Sequence, residues 1–468
     1  MSNEKLRREL TFMNMIAIAA GAVIGGWLAE APYWFSVTGA GGAIVFPILA
    51  ILLVPVGLAF AELTAMLPFT SSVDIWTTNA FGHRAGWAAQ WMMFLIQIVE
   101  PPLMAFIFIT AINWFVPIPE NMVTWVAIGI VFIWYIISNF KIGLTGNLAT
   151  IFFFAMIIIS LIVATTFYGS GHWTVANITQ HGGLFPGGFR GIFVAFAVFA
   201  LKFIGFEMTP TLIEETNFPA KDMWKVILSA LFVPALLYAF VVLAMAGLAP
   251  WTEIAGMNMP EPELVAKLGL PGIIGIAAII SGLLHALTTL MGFWTSSARV
   301  LYGAAELNQL PKFFTSLNKY GQPHIANLFV LLFSIFFILF TGTNWVQYIY
   351  AVSCIAAGVV YSLCCLDALV LRRKHPEWER PYRVPGKDGL FIIGILVGIW
   401  IIIGSCLELD LNGYISLLVY FAIGVVVNIF MDYYRKKHPE EYKLITLTPE
   451  DKEKSKEFIE SENQTLTM

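Results

Sequence analysis

The chain has 468 residues, 58% of them hydrophobic and only 12% charged, with a mean hydropathy of +0.78 and a formal net charge of −4. A soluble domain carries about 25% charged residues. Half that density leaves too little polar surface to face water, which excludes a string of soluble domains; a lipid bilayer is the expected partner and nucleic acid is not.

The polar start, Met1 to Glu9, leads into an apolar stretch that runs past Ala31 without a credible cleavage site, so the first span is expected to stay in the membrane. About 20 apolar residues cross the hydrocarbon as a helix. On that basis twelve spans are predicted, near 12–35, 41–67, 84–116, 122–139, 147–168, 189–216, 224–249, 271–303, 325–341, 345–371, 389–407 and 413–433. Runs such as Ile151 to Val163 are apolar on every face, unlike the alternating strands of a closed barrel. With the N-terminus inside, every one of the 26 basic residues except Arg190, Lys202 and Lys267 falls in a cytoplasmic segment. Retained Lys and Arg mark that side, so both termini are predicted to be cytoplasmic in a multi-pass cell-membrane protein. The four cysteines, Cys354, Cys364, Cys365 and Cys406, lie inside apolar runs without metal-ligand spacing and read as packing residues. After Arg435 the chain is charged and poor in apolar residues, the composition of a solvated tail.

Two spans carry interruptions. Span 1 contains Gly21-Ala22-Val23-Ile24-Gly25-Gly26-Trp27, and each glycine weakens a helix by about 1 kcal/mol relative to alanine. Span 6 carries Phe203-Ile204-Gly205-Phe206-Glu207, then Thr209-Pro210. Small residues also permit close helix packing. Two interruptions five helices apart, however, point to an inverted repeat with a central site, where freed N–H and C=O groups hold a polar solute.

Further motifs join these. Span 2 ends Phe60-Ala61-Glu62-Leu63, then Pro68; span 6 exits through Glu214-Glu215-Thr216-Asn217 and Pro219. Span 8 is followed by Ser297-Ala298-Arg299-Val300-Leu301-Tyr302 and Leu310-Pro311-Lys312-Phe313-Phe314, and span 11 is preceded by Arg380-Pro381-Tyr382-Arg383-Val384-Pro385-Gly386. In this order, from about residue 5 to 433, they resemble the amino acid–polyamine–organocation transporters. The resemblance implies an all-α membrane protein of the leucine-transporter type, with a 5+5 inverted repeat plus two further helices. Its parts would be a cytoplasmic N-terminus (1–11), a first five-helix repeat (12–168), a second (189–371), helices 11 and 12 (389–433) and a charged cytoplasmic tail (434–468). It also implies where a substrate sits: the carboxylate on N–H groups of Ile24, Gly25 and Gly26, the amino group on carbonyls of Ala22 and of Phe203 or Ile204, beside Gly205. The chain departs from the family pattern at Trp27, where a third glycine is usual, so an indole narrows the pocket or covers a donor. Thr70-Ser71-Ser72 stands where many relatives carry Ser-Gly-Gly.

Charges within spans are expensive and tend to be functional. Lys202 lies roughly 20 Å into span 6 at 1.5 Å per residue. It would tie carbonyls of the broken helix, accept a proton, or stand in for a coupling cation. Glu100, beside Pro101-Pro102 in span 3, would satisfy backbone groups freed by the prolines, bind a substrate amine, carry a proton, or pair with Lys202. If the two pair, the site is neutral and suits a zwitterion; if they do not, a charged substrate suits it better. His285 reads as a packing residue, Asp367 as a partner of Arg372 or Arg373, and Phe203, Phe293 and Trp294 as candidate gate aromatics.

The function expected is secondary transport of amino acids or related amines by alternating access, through proton-coupled uptake or exchange. Sodium coupling stays open, since Thr288 or Ser296 could help ligate a cation. No cofactor or metal is expected. A membrane-embedded enzyme would need a catalytic set such as His-Glu-x-x-His, which the sequence lacks. A channel would call for a repeated filter, and a non-transporting sensor remains compatible with the same fold.

Overall fold

The computed structural model describes residue 6 and residues 8–341, 345–386 and 388–451. Of the basic positions used above, Lys5, Arg7, Lys387, Lys452, Lys454 and Lys456 lie outside the described residues, as does the tail beyond residue 451.

The apolar runs form helices in chain order: α1 (Phe12–Ile24), α2 (Trp27–Thr38), α3 (Gly42–Met66), α4 (Val73–Phe81), α5 (His83–Ile98), α6 (Glu100–Phe115), α7 (Glu120–Ile137), α8 (Ile142–Tyr168), α9 (Val175–Thr179), α10 (Gly188–Val198), α11 (Met223–Ala246), α12 (Trp251–Ile254), α13 (Pro260–Lys267), α14 (Gly272–Glu306), α15 (His324–Phe340), α16 (Trp345–Lys374), α17 (Gly389–Cys406) and α18 (Leu411–Lys437). Among the described residues there are no strands, only isolated bridges at Leu10–Thr216 and Gly39–Leu184. Among the described residues ten helical segments are long and apolar enough to cross a membrane, and α1 with α2, bent by 51°, makes an eleventh. α15 is apolar but has only 17 residues. The fold is that of an all-helical, multi-pass membrane protein.

Burial shows which helices face lipid. Trp125, Ile133, Ile151, Ile162, Leu418 and Ile429, on α7, α8 and α18, are all more than half exposed. Such a band would be penalised in water by about 25 cal/mol per Å² and carries no such penalty in a bilayer. The interior is built on α1, which packs against α8, α11 and α14, while α3 packs on α11 and α16 on α17.

The sequence motifs meet as pairs at one end of the bundle. Glu62 accepts two bonds from Arg372, at 2.8 and 2.5 Å, and the Val384 N–H at 2.7 Å; the Arg380 guanidinium stands 3.5 Å away. Glu215 and Arg299 form a buried two-point pair at 2.8 and 2.9 Å, and Arg299 also donates to Gln322. Beside it the chain entering α1 is stitched to the exit of span 6: Leu10 N–H donates to Glu215 O, and Asn217 N–H to Leu10 O, both at 2.9 Å. These motifs therefore clamp one end of the molecule rather than line its centre.

Asp367 does not pair with Arg372 or Arg373, as its sequence position suggests. It instead accepts from the Thr77 hydroxyl at 2.6 Å, because Arg372 is taken by Glu62 and Arg373 by Asp388. The described part of the tail also differs from a solvated segment. Tyr442 is buried, Asn308 donates to Lys443 O at 2.7 Å and Asn79 to Leu447 O at 3.0 Å, so residues 442–447 lie strapped across the ends of α4 and α14.

Candidate functional site

Both interruptions are breaks, and they touch. α1 stops at Ile24; Gly25 has φ +39°, Gly26 is extended, and α2 starts at Trp27 with no side-chain cap on its first N–H groups. In span 6, α10 ends at Val198, a 3-10 turn follows over Phe199–Phe203, Ile204 is extended and Gly205 has φ +142°. A second 3-10 stretch, Phe206–Glu215, carries Pro210. A Cβ at Gly205 would lie 2.7 Å from Val23 Cγ2 and 3.0 Å from Val23 N. Only a residue without a side chain lets the two breaks approach so closely, and glycine also accepts this φ without strain.

The carbonyls of the first break are largely claimed by the protein. Tyr238 reaches Val23 O at 2.5 Å and Ile24 O at 2.7 Å; Thr288 donates to Gly21 O and Thr289 to Ala22 O, each at 3.1 Å. These hydroxyls fasten α11 and α14 to the break, and they leave Ala22 O less available to an amine than the resemblance implied. Ser296 is bonded to Thr211 at 2.7 Å, away from Thr288.

Lys202 is 2% exposed, and its Nζ lies 2.6 Å from Glu30 Oε2, on a carboxylate that is fully buried. The same Nζ is 5.8 Å from the ring centroids of Trp34 and Tyr350, and a Cβ at Gly25 would come within 2.6 Å of it. Lys202 thus fills the space beside the first break and pairs with the helix that leaves it. Its partner is Glu30, not Glu100. Glu100 opens α6 directly after Val99 and has a long contact of 3.4 Å with the Ser353 hydroxyl. It lies within Coulombic reach of Lys202, Glu30 and Glu207. Glu207 accepts the Gly205 N–H at 2.8 Å and the Tyr361 hydroxyl at 3.3 Å.

Trp27 is buried, edge-on to Tyr238 with ring centroids 6.0 Å apart. Its indole N–H donates to Glu261 Oε2 at 3.0 Å, and its ring packs on His285, centroids 4.2 Å apart. Glu261 belongs to α13, in the loop between α11 and α14, and burial pushes its carboxyl up to about 7 against the opposing effect of the Trp27 bond. His285 is held by Ser160 and Ser281, each at 3.4 Å, as a packing residue would be. Phe203 packs against Phe46 and Tyr238, while Phe293 and Trp294 are buried in the core, Trp294 bonded to Asn327. Glu30, Tyr238 and Glu261 are additions to the residues the sequence singles out. Glu30 and Glu261 carry charge in or near apolar segments and were detectable on that ground; Tyr238 gives no such signal.

Two cavities flank the centre. One, of about 400 Å³, is lined by Ala29, Tyr33, Thr110, Asn258, Trp345 and Gln347. The other, of about 870 Å³, lies at the clamped end and is lined by Arg8, Phe69, Glu214, Asn217, Lys221 and Tyr302, among others. Among the described residues, no group of three or more His, Cys, Asp or Glu could hold a metal ion.

The chain is a multi-pass helical membrane protein in which two unwound spans face each other around buried ionisable groups. Residues 10–431 match the amino acid permease family, and the chain belongs to that family. It is similar to the branched-chain amino acid permease of Bacillus subtilis (strain 168), 24% identical over 93% of this chain and 95% of that one. The D-serine/D-alanine/glycine transporter of Escherichia coli (strain K12) is 26% identical, covering 82% and 85%. The gamma-aminobutyric acid permease of Bacillus subtilis (strain 168) is 24% identical, covering 94% and 96%. These relatives are named as permeases and transporters, not enzymes.

Proposed function

We propose that the chain is a secondary active transporter that moves amino acids or related amines across the cell membrane by alternating access. The observation that carries this reading is the contact between the two breaks, where Gly205 meets Val23 at the middle of the bundle. A polar guest there meets the uncapped N-terminus of α2, whose N–H groups and dipole suit a carboxylate. Gly25 and Gly26 border that end, with Ile24, Phe203 and Ile204 forming the neighbouring wall. The relatives' named substrates, all amino acids or amino-acid-like, supply the class.

In this reading α15 counts as a twelfth span, α1–α8 and α10–α16 hold the two five-helix repeats, and α17 and α18 stand outside them. The segregation of basic residues supports cytoplasmic termini. The clamp of Glu215, Arg299 and Leu10 then closes the cytoplasmic side, with the cavity near Tyr33 facing outward. Coupling is assigned to protons, with Lys202 and Glu30 as the pair that exchanges charge during the cycle, and Trp27 held by Glu261 as an outer gate element.

The test is purified protein in liposomes, offered radiolabelled amino acids and amines with and without a proton gradient. Uptake or counterflow of at least one solute, faster with an inward proton gradient, is expected. No uptake, no counterflow and no ligand-induced thermal shift across the panel would overturn the transporter reading.

A further inference from the structure

The centre holds three carboxyl groups and a single amine among its described residues. Glu30, Glu100 and Glu207 come from spans 1, 3 and 6 and are at most 2% exposed, and Lys202 is the ammonium among them. Lys202 is bonded to Glu30 at 2.6 Å, so among the described residues neither Glu100 nor Glu207 has an ion pair of its own. Their hydrogen bonds do not make up the difference. Glu207 Oε1 and Glu30 Oε1 are buried with no partner, and the 3.4 Å contact of Glu100 with Ser353 is long. Buried oxygens left unpaired in this way call for a water, an ion or a ligand.

A second observation points the same way. The 400 Å³ cavity adjoins this cluster: Ala29 precedes Glu30, and the Tyr33 ring, which lines the cavity, packs on Tyr350, 5.3 Å between centroids. Tyr350 in turn faces the Lys202 ammonium. The Tyr33 hydroxyl has no hydrogen-bond partner. At the rim Gln347 donates to the backbone carbonyl of Glu408 at 3.0 Å, placing another carboxylate beside the cavity. Aromatic faces beside the cavity, with carboxyl groups close behind them, favour a cation there.

We infer that the transported solute carries one positive charge more than a zwitterionic amino acid, as a cationic amino acid or a diamine does, and that Glu100, with the free oxygen of Glu207, holds its extra ammonium. The inference rests on the transporter reading and narrows it. A second ammonium supplies charge-assisted bonds to Glu207 Oε1, which has no partner, and to Glu100, whose contact with Ser353 is long; a neutral zwitterion has no ammonium to spare for them.

Pairs of similar shape and different charge test it in the same liposomes: lysine against norleucine, arginine against citrulline, putrescine against n-butylamine. In the wild-type protein the more cationic member of at least one pair should compete for uptake at concentrations about tenfold lower, the size of one charge-assisted hydrogen bond. Glu100→Gln should reduce that preference about tenfold, and Glu100→Asp should retain part of it. If norleucine, citrulline and n-butylamine compete as well as their cationic counterparts, the inference fails while the transporter reading stands. It fails in the same way if Glu100→Gln weakens both members of a pair equally, as the loss of a purely structural carboxylate would. Absence of transport of every solute would remove the transporter reading, and the inference with it.

Discussion

At the scale of single residues, the Lys202–Glu30 pair sets the strongest constraint, since both groups are withdrawn from solvent. Removing one partner of a buried pair strands the other and costs about 3–5 kcal/mol, whereas neutralising both is often tolerated. Lys202→Met should therefore lower the melting temperature in detergent and abolish uptake. Lys202→Met with Glu30→Gln should recover much of the stability but not the dependence of uptake on a proton gradient. Recovery of that dependence would remove the pair from coupling. Glu261 gives a pH signature. Undocked, it titrates in the usual carboxylate range, near 4.3; docked against Trp27 it titrates at about 7. The docked state thus holds its proton more tightly, so the contribution of Glu261 to docking is full below about pH 4, declines as the pH rises to about 7 and is constant above. The protection factors of α13 amides, which exclude the intrinsic rise of exchange with pH, should fall over that interval in the wild type and stay level in Glu261→Gln. An unchanged profile in the variant would dismiss Glu261 as its origin. Lys202 and Glu100 were visible in the sequence because ionisable residues inside apolar spans stand out. Which carboxylate Lys202 takes was not visible, because Glu30 lies 172 residues away in the chain and only the packing of span 1 on span 6 brings them together.

At the scale of elements, local chemistry explains the breaks but not their winding. Glycine at 25, 26 and 205 and proline at 210 announced where the helices fail, since those residues weaken helical hydrogen bonding on their own. That the chain past Phe199 winds as 3-10 turns had no local cue, because it is set by what packs around the second break. The tail shows the converse: its charge suggested solvation, yet Tyr442 is 6% exposed, packs edge-on to Tyr434 at 5.0 Å between centroids, and receives the Lys312 N–H at 3.2 Å. One anchoring aromatic and a few backbone bonds hold the strap. Tyr442→Ala should lose about 2 kcal/mol of local stability, by analogy with smaller core truncations, and amide exchange at Ile445, which bonds Leu307 O, should accelerate more than tenfold. Equal exchange in variant and wild type would mean that the backbone bonds alone retain it.

At the scale of the whole molecule, the motifs that resembled a transporter family divide: Phe203 to Glu207 lies at the central breaks, while those around Glu62, Glu215, Arg299 and Arg380 form the clamp that closes one end. Glu62 with Arg372, and Glu215 with Arg299, join segments more than 80 residues apart, and the Leu10 bridge adds the chain start to the second pair. If alternating access operates, this clamp must separate in every cycle. Leu10 sits between the bonds to Glu215 and Asn217, opposite Thr216, in strand-like register. Paired backbones in such register lie about 4.8 Å apart, within the range a disulfide spans. Leu10→Cys with Thr216→Cys should therefore cross-link under oxidation. The natural cysteines at 354, 364 and 365 are buried, so replacing the partly exposed Cys406 by serine limits competing reactions. Oxidised protein in liposomes should lose uptake while still binding solute from the side of the cavity near Tyr33, and a reductant should restore transport. Full uptake by the cross-linked protein would show that the clamp stays shut throughout, and the solute would then need a route that does not pass between Leu10 and Thr216.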